Sequence, residues 1–415
     1  MEQQLPQLAQ QYQDDMVAFL QALVQIPSVN GRDDETAVSQ RIIQQAHQLG
    51  FAAELVAKQP QRANAVHRAN AVVRWGQGPR KFAIIGHVDT VAEGPADHWS
   101  VPPFAGVIKN GRLIGRGTSD NKAGIAIGLY TLALLRDHGL VDPNEVELIV
   151  AGVVDEESGA TSTLGVRHLL DSGHFAGVEG AIYAYASDIV CVGHRGLLRL
   201  ELTARGQAIH SGLPAWSQRK KGVNAVTGLA AALLALEELN LPAPPHPAFD
   251  HLGCTVTPGT LIQGGTFVSI VPDLATAAVD IRLMPGQAVE GVLTAVQATL
   301  DHIAAQRPGL SLTATVTTSF PGAAIPSDHP LAQIAQHHAR HVTGAEWPIV
   351  GAGPGNEGYM LIGAGIPTLC GFGPSGDNAH APDEWVDLTS LHQTVAVFSG
   401  IICDYLDQQA SENRD

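Results

Sequence analysis

Two adjacent carboxylates follow a long apolar run in the middle of the chain. Residues 146–154 are largely apolar, as a buried strand would be, and they lead through Asp155 to the adjacent pair Glu156 and Glu157. Burying an ionised carboxylate without partners costs several kcal/mol. The pair therefore indicates hydrogen-bond donors, a shared proton or metal ions at this end of the strand.

Other apolar segments also end in possible metal ligands. Residues 81–86 are followed by His87 and, two positions later, by Asp89. Alternation along an extended chain puts both side chains on one side, so we expect Asp89 to approach the His87 ring and hold its tautomer. Sites in open α/β sheets collect beyond the carboxyl ends of strands. Further candidates in comparable places are Asp120 in the segment 115–124, Asp188 after the run 181–186, and His380 in a loop after the run 366–372.

With these motifs the chain resembles the M20 family of metallopeptidases. That family includes acetylornithine deacetylase, succinyl-diaminopimelate desuccinylase, aminoacylases, dipeptidases and glutamate carboxypeptidase. The motifs occur in family order over almost the whole chain, from residues 23–28 to Trp385. The resemblance implies a metal-dependent hydrolase of amide or peptide bonds.

The resemblance also implies a role for each candidate side chain. Asp120 corresponds to the carboxylate that bridges two zinc ions, Glu156 to the general base, and Asp89 to the residue that orients His87. A cis peptide after Asp120 is implied as well. The remaining ligands are implied to be His87 and Asp188 for one ion, and Glu157 and His380 for the other.

These residue types suit the chemistry that the resemblance implies. Two metal ions about 3.5–4 Å apart can share one water and lower its pKa from about 15.7 towards 7. Imidazole and carboxylate suit zinc, cobalt and manganese, whereas the scattered cysteines argue against a thiolate site. The adjacent glutamates divide the work: Glu157 binds metal, while Glu156 takes the water's proton and returns it to the leaving amine.

A central segment resembles the inserted lid domain of the same family. Residues 195–212 match its first strands and include the family's histidine at His210. In the family this histidine reaches across a dimer and stabilises the reaction's oxyanion, so the resemblance implies a homodimer formed through the lid. Arg282, on the family's arginine-bearing strand, and Ser269, where relatives often carry asparagine, are the candidate substrate-binding residues.

Departures from the family pattern bear on the substrate. Asp188 replaces the glutamate of most deacylases and carboxypeptidases, which favours the dipeptidase and aminopeptidase branches. Residues 351–358 lack the serine-aspartate-x-arginine pattern of many relatives. We therefore expect Arg282 or backbone groups to bind a substrate carboxylate. We predict a di-zinc deacylase of N-acyl amino acids, with a dipeptidase, aminopeptidase or carboxypeptidase as the alternative. A catalytically silent metal-binding scaffold is a second class, which the intact ligand set and Glu156 disfavour.

Composition agrees with an enzyme of small substrates. The 415 residues exceed the size at which one core keeps growing, so two domains are expected. A net charge of −16 argues against nucleic acid or anionic membranes as partners. The N-terminus has neither the basic nor the apolar region of a signal peptide, and the cysteines form no close pair. Both features predict a cytoplasmic location.

Strand-like and helix-like patterns alternate, which predicts an α/β fold. The resemblance implies a zinc-peptidase-like catalytic domain with a central mixed sheet, formed by residues 1–192 and 319–415. Residues 193–318 form the predicted insert, an α+β unit in ferredoxin-like β-α-β-β-α-β order that serves as the lid and dimerisation domain. Helices are predicted at residues 8–25, 36–49, 123–137, 164–172, 223–239, 289–305, 331–341 and 390–405.

Overall fold

Strands and helices alternate along most of the chain. The computed structural model describes residues 2–58 and 68–412. The strands are β1 (Ala52–Ala57), β2 (Ala69–Gly76), β3 (Arg80–His87), β4 (Val107–Lys109), β5 (Arg112–Ile114), β6 (Val146–Val153), β7 (Val178–Tyr183), β8 (Val190–His194), β9 (Gly196–Arg205), β10 (Thr255–Gly264), β11 (Leu274–Leu283), β12 (Ser311–Phe320), β13 (Ala323–Ala324), β14 (Ile349–Ala352), β15 (Thr368–Cys370), β16 (Gly376–Asp377) and β17 (Trp385–Asp387). The α-helices are α1 (Leu5–Gln10), α2 (Gln13–Val24), α3 (Thr36–Gln48), α4 (Ala123–Asp137), α5 (Val166–Asp171), α6 (Pro214–Ser217), α7 (Ala225–Glu237), α8 (Val289–Ala305), α9 (Pro330–Thr343), α10 (Gly358–Gly363) and α11 (Leu388–Glu412). Within the described ranges, no helix has the length and apolar character needed to cross a bilayer.

The chain divides into two compact units. The first comprises Met1–Gly193, Ala324–Ala352 and Asn356–Asp415. The second comprises His194–Ala323 together with Gly353–Gly355. In the sequence, the first unit is therefore formed by segments that come before and after the second. Each unit has an apolar core of its own.

A six-stranded sheet forms the centre of the first unit, with the strand order β1-β2-β6-β3-β7-β15. Pairing is antiparallel from β1 to β6 and parallel from β6 to β15. This confirms the predicted mixed sheet. His87 at the end of β3 pairs with Val153 at the end of β6. Because these strands are parallel, the residues that follow them emerge at the same edge of the sheet.

Helix α4 packs closely against this sheet. All of residues 123–135 in the helix are buried, so it is apolar on every side. Gly128 permits the close approach, since a Cβ there would lie 3.1 Å from Val150 and 3.2 Å from Ile84. The tight packing fixes the start of α4, which directly follows the segment carrying Asp120.

The second unit is built on an antiparallel sheet with the strand order β10-β11-β9-β12. Apart from the short helix α6 after β9, the chain passes through β9, α7, β10, β11, α8 and β12 in turn, which is the predicted ferredoxin-like order. Alternate residues of β11 are buried, as expected for a strand with one covered face. Buried leucines and valines of α7 and α8, such as Leu229 and Val296, belong to the same apolar cluster as that face.

The first predicted helix, residues 8–25, is two helices in the structure. α1 ends at Gln10 and α2 begins at Gln13. Tyr12 lies between them and donates a hydrogen bond from its hydroxyl to Asp137, at 2.9 Å. The prediction was wrong here because neither Gln11 nor Tyr12 is a glycine or proline, so the sequence carries no local signal for the break.

Glu147 on β6 joins three neighbouring strands through its carboxylate. It lies 2.6 Å from Arg74 Nη1 on β2 and 2.8 Å from Lys81 Nζ on β3. Burial acts to raise the pKa of Glu147, but hydrogen bonds from Lys81 and Arg74 hold the pKa below its usual 4.5. The ionised carboxylate therefore stabilises the folded sheet.

We predict that Glu147→Gln lowers the free energy of unfolding by roughly 1 kcal/mol near neutral pH. A carboxyl whose pKa is lowered by folding contributes stability above its unfolded pKa, and this contribution is lost as the pH falls below about 4.5. Urea unfolding of wild type and variant across this range should show the difference shrinking towards acid. Glu145→Gln, at an exposed neighbouring position, is the control. A difference that does not depend on pH would contradict the assignment.

Candidate metal centre

His87 is the fully buried last residue of β3. Its Nδ1 lies 2.9 Å from the carbonyl oxygen of Asp89, and its Nε2 lies 2.7 Å from Oδ1 of Asp120. The His87 N–H donates to the side-chain oxygen of Asn121 at 2.9 Å. Gly86 leaves room for this contact, because a Cβ there would be 2.6 Å from the same oxygen. The backbone and one ring nitrogen are thus fixed, which aims the other nitrogen at Asp120.

The Asp89 carboxylate contacts more than the His87 ring. It lies 3.6 Å from His87 Nδ1, farther away than the carbonyl oxygen of the same residue. It accepts hydrogen bonds from the backbone N–H groups of Glu156 at 3.2 Å and Glu157 at 2.9 Å. Strand alternation does not extend to Asp89, since β3 ends at His87. Asp89 therefore contacts His87 mainly through its main chain and holds the Glu156–Glu157 turn with its side chain.

A sharp turn after β6 carries the two glutamates. Asp155 has a left-handed backbone with φ of 66°, and Glu156–Ser158 forms a short 3-10 helix. Glu156 is buried, and burial raises the pKa of its carboxyl to about 8. A carboxyl with such a pKa can exchange a proton near neutral pH.

His380 reaches the same region from a loop between β16 and β17. Its Nε2 lies 3.2 Å from Asp120 Oδ2 and 3.2 Å from Glu157 Oε1. Hydrogen bonds with these two carboxylates raise the pKa of His380 to about 10. Burial acts to raise the pKa of Asp120, but hydrogen bonds from His380 and His87 hold it well below its usual value. Asp120 thus faces one imidazole with each carboxylate oxygen.

Two groups of possible ligand atoms occur among the described residues. His87, Glu156 and Glu157 form one, and Asp120, Glu157 and His380 form the other, with the ligand atoms of each group within 4.8 Å of one another. Imidazole nitrogens and carboxylate oxygens together fit zinc, cobalt or manganese. Because Glu157 belongs to both groups and Asp120 contacts both histidines, the arrangement can hold two metal ions that share carboxylates.

The other predicted site residues belong to neither group of ligand atoms among the described residues. Asp188 follows β7 in the first unit and is a member of neither ligand group in the described chain. His210, Ser269 and Arg282 belong to the second unit. The segments that carry His210 and Ser269 are hydrogen-bonded to each other. Arg282 on β11 forms an ion pair with Asp280, at 2.8 Å.

Glu384 is a residue of the centre that the sequence did not reveal. It is fully buried, and Arg116 Nη1 lies 2.7 Å from its carboxylate. The carboxylate also accepts hydrogen bonds of 2.9–3.0 Å from the backbone N–H groups of Gly117, Ser119 and Asp120. Glu384 therefore holds the loop that carries Asp120, from a position four residues beyond His380. Its partners are 264 or more positions away, so spacing in the sequence could not show the contact.

The peptide between Asp120 and Asn121 is cis, as the resemblance implied. Asn121 uses its side-chain oxygen for the His87 N–H and its side-chain nitrogen for the carbonyl oxygen of Ala184, at 2.6 Å. Ala184 directly follows β7. The Asn121 side chain thus links the ends of β3 and β7 beside the centre.

Comparisons with known proteins agree with the motifs. Residues 83–404 match the model of peptidase family M20/M25/M40. The chain is 27% identical to YgeY, an uncharacterized protein of Escherichia coli strain K12, over 96% of each chain. It is 25% identical to N-formyl-4-amino-5-aminomethyl-2-methylpyrimidine deformylase of Halalkalibacterium halodurans, over 92% of each chain.

A solved structure shows the same fold. The YXEP protein of Bacillus subtilis, described as a dinuclear metal binding peptidase from the M20 family, superposes with a TM-score of 0.68. The match covers 96% of this chain and 99% of that chain at 16% sequence identity. At this identity the likeness concerns the fold.

We predict that Glu384→Gln weakens metal binding by roughly 10- to 100-fold. The amide removes the charge that pairs with Arg116 and one acceptor of the loop N–H groups, so the Asp120 loop is no longer fixed. Zinc competition against a chelator measures the affinity. Asp383→Asn is the matched control, because Asp383 is the adjacent acidic residue and binds Ser100 instead. Equal zinc affinities in the two variants would refute the role given to Glu384.

Proposed function

Because this chain belongs to peptidase family M20/M25/M40 and is a metal-dependent hydrolase of amide or peptide bonds, we propose that it deacylates an N-acyl amino acid. One observation carries the proposal: the two groups of ligand atoms share Glu157, and Asp120 contacts a histidine of each. Such a site suits hydrolysis with two metal ions. Zinc is the proposed metal, with cobalt or manganese as possible substitutes.

Each ligand has a place in this proposal. His87 and Asp188 would hold one ion, Glu157 and His380 would hold the other, and Asp120 would serve both. When bound, two such ions supply a water that is acidic enough to ionise near neutral pH. The tight hydrogen bonding of His87 and Asp120 supports their part, because a ligand held in one orientation loses little freedom on binding.

Glu156 is the proposed general base. It takes the proton of the attacking water and returns it to the nitrogen of the leaving amino acid. Its burial, its raised pKa and its place beside His87 and Glu157 support this role. Asp89 assists by holding the N–H groups of both glutamates, which fixes the direction of the turn that carries them.

The second unit supplies the remaining groups in this proposal. His210 stabilises the oxyanion across a homodimer formed through the second unit. Arg282 or backbone groups bind the substrate carboxylate, and Ser269 contacts the substrate from the same unit. The guanidinium of Arg282 is partly exposed beside Asp280, which leaves donors for an incoming carboxylate. A cytoplasmic location is part of the same proposal.

A dipeptidase or aminopeptidase is the second candidate function. Asp188 favours it, because an aspartate replaces the glutamate that deacylases and carboxypeptidases usually have at this position. Both candidates use the same ligands and the same base, so the metal centre does not discriminate between them. The deformylase relative, which acts on an N-formyl group by its name, favours removal of an acyl group.

A matched substrate panel tests the choice between these functions. We predict that zinc- or cobalt-loaded protein releases amine from N-acetyl amino acids at least roughly 10-fold more efficiently than from dipeptides with the same C-terminal residue. The side chain that is hydrolysed fastest identifies the pocket. Preference for dipeptides would assign the chain to the peptidase branch, and full metal occupancy without turnover of any amide would favour a silent scaffold.

We predict that Glu156→Ala lowers kcat by roughly 10²–10⁴-fold, the usual contribution of a general base. Metal should remain bound, because the proposed ligands are all retained; metal analysis of the purified variant checks this. Glu145→Ala, at an exposed position, should keep wild-type turnover. Near-normal kcat in the Glu156 variant would rule out the assigned mechanism.

A further inference from the structure

Asn30 lies between two carboxylates beside the candidate metal centre. Its Nδ2 donates one hydrogen bond to Asp89 Oδ2 at 2.8 Å and another to Asp155 Oδ1 at 2.9 Å. Both N–H groups of the amide are therefore used. We propose that Asn30 is a positioning residue for Glu156 and Glu157, acting through Asp89 and Asp155. This inference rests on the proposed function.

The backbone fixes Asn30 relative to Asp89. The Asn30 N–H donates to Thr90 O at 2.9 Å, and the Thr90 N–H donates to Ser28 O at 3.0 Å. The Ser28 hydroxyl donates to Val88 O at 2.7 Å. Residues 28–30 thus run alongside the segment that carries Asp89, and the Asn30 amide approaches the carboxylate from one defined direction.

The first path to the glutamates runs through Asp89. Its Oδ2 accepts from Asn30 and from the N–H of Glu157, while its Oδ1 accepts from the N–H of Glu156. Two of these donors belong to the turn itself, whereas Asn30 donates from outside it, and the His87 ring lies 3.6 Å from Oδ1 of the same carboxylate. Without Asn30 the carboxylate loses the outside donor to Oδ2, the oxygen that holds the N–H of Glu157, so the direction of the turn is less well fixed.

The second path runs through Asp155. This residue has a left-handed backbone with φ of 66°, which costs a residue other than glycine roughly 1–2 kcal/mol. Its carboxylate is held by Asn30, by the Ser162 hydroxyl at 2.9 Å and by an ion pair with Arg68. Its N–H donates to Glu35 Oε2 at 2.9 Å. Side-chain contacts therefore maintain the turn that its backbone disfavours.

The local charge explains why an amide occupies position 30. Asp89, Asp155 and Glu35 bring carboxylates together, and Arg68 pairs with the last two. A neutral side chain with two N–H groups satisfies Asp89 and Asp155 without adding charge. An aspartate of the same size would add a further acceptor and a like charge, which is destabilising at this spacing.

Three variants test the proposal, and Asn144→Ala is the control. Asn144 is an exposed asparagine whose amide donates to Asp142. We expect Asn30→Ala to lower kcat by roughly 10- to 100-fold with little change in KM. Asn30→Asp should lose more, and Asn30→Ser, which keeps one donor, should lose less. The visible absorption of the cobalt-loaded protein should shift in the alanine and aspartate variants, since that spectrum reports ligand geometry.

The outcomes separate positioning from simple stabilisation. A cobalt spectrum and kcat equal to those of the control would overturn the proposal. The proposal would also be overturned if a variant has a lowered melting temperature but its folded protein keeps the wild-type cobalt spectrum and kcat. If Asn30→Ala does not fold, the other two variants test the proposal: Asn30→Asp should lose more kcat than Asn30→Ser, and the opposite order would overturn it. The spectrum needs no substrate, so a wild type that hydrolyses no amide would contradict the proposed function and leave this test intact.

Discussion

Buried negative charge at the carboxyl edge of the central sheet is the constraint on which the rest of the structure depends. Asp89 and Glu384 are fully buried and Glu156 nearly so. Each buried charge must be matched by donors, by a cation or by a proton, because water is not available to solvate it. Loops from distant parts of the chain supply these partners, and in doing so they fix the candidate ligands Asp120 and Glu157.

The part of the site that could be predicted is the part set by the sheet. Parallel strands deliver the residues that follow them to one edge, so an apolar run that ends in His87 and another that ends in Asp155 indicate a shared site without knowledge of the fold. The α/β class follows from the alternation of strand-like and helix-like patterns, whereas the mixed sheet and the ferredoxin-like order of the second unit are what the family resemblance implies. Metal chemistry then follows from the residue types.

The part that could not be predicted depends on contacts between distant segments. Glu384 and Asn30 act on backbone groups and carboxylates far along the chain, and no periodicity or spacing records such pairs. Asp89 lies two residues beyond the end of β3, where strand alternation no longer holds, so the pattern does not show which way its carboxylate faces. Residues that position the ligands are thus harder to predict from the sequence than the ligands themselves.

Glu384 and Glu357 are both buried glutamates, but the groups around their carboxyls differ. Both side chains are fully buried near the centre. Burial raises the pKa of Glu384, but hydrogen bonds from backbone N–H groups and the charge of Arg116 oppose this rise and favour the ionised carboxylate. For Glu357, burial and then the nearby charges of Glu156 and Asp89 raise the pKa well above its usual value. Glu357 therefore keeps its proton to higher pH than an exposed glutamate and adds less charge beside Glu156, which leaves the negative charge of the centre to the carboxylates that can hold metal.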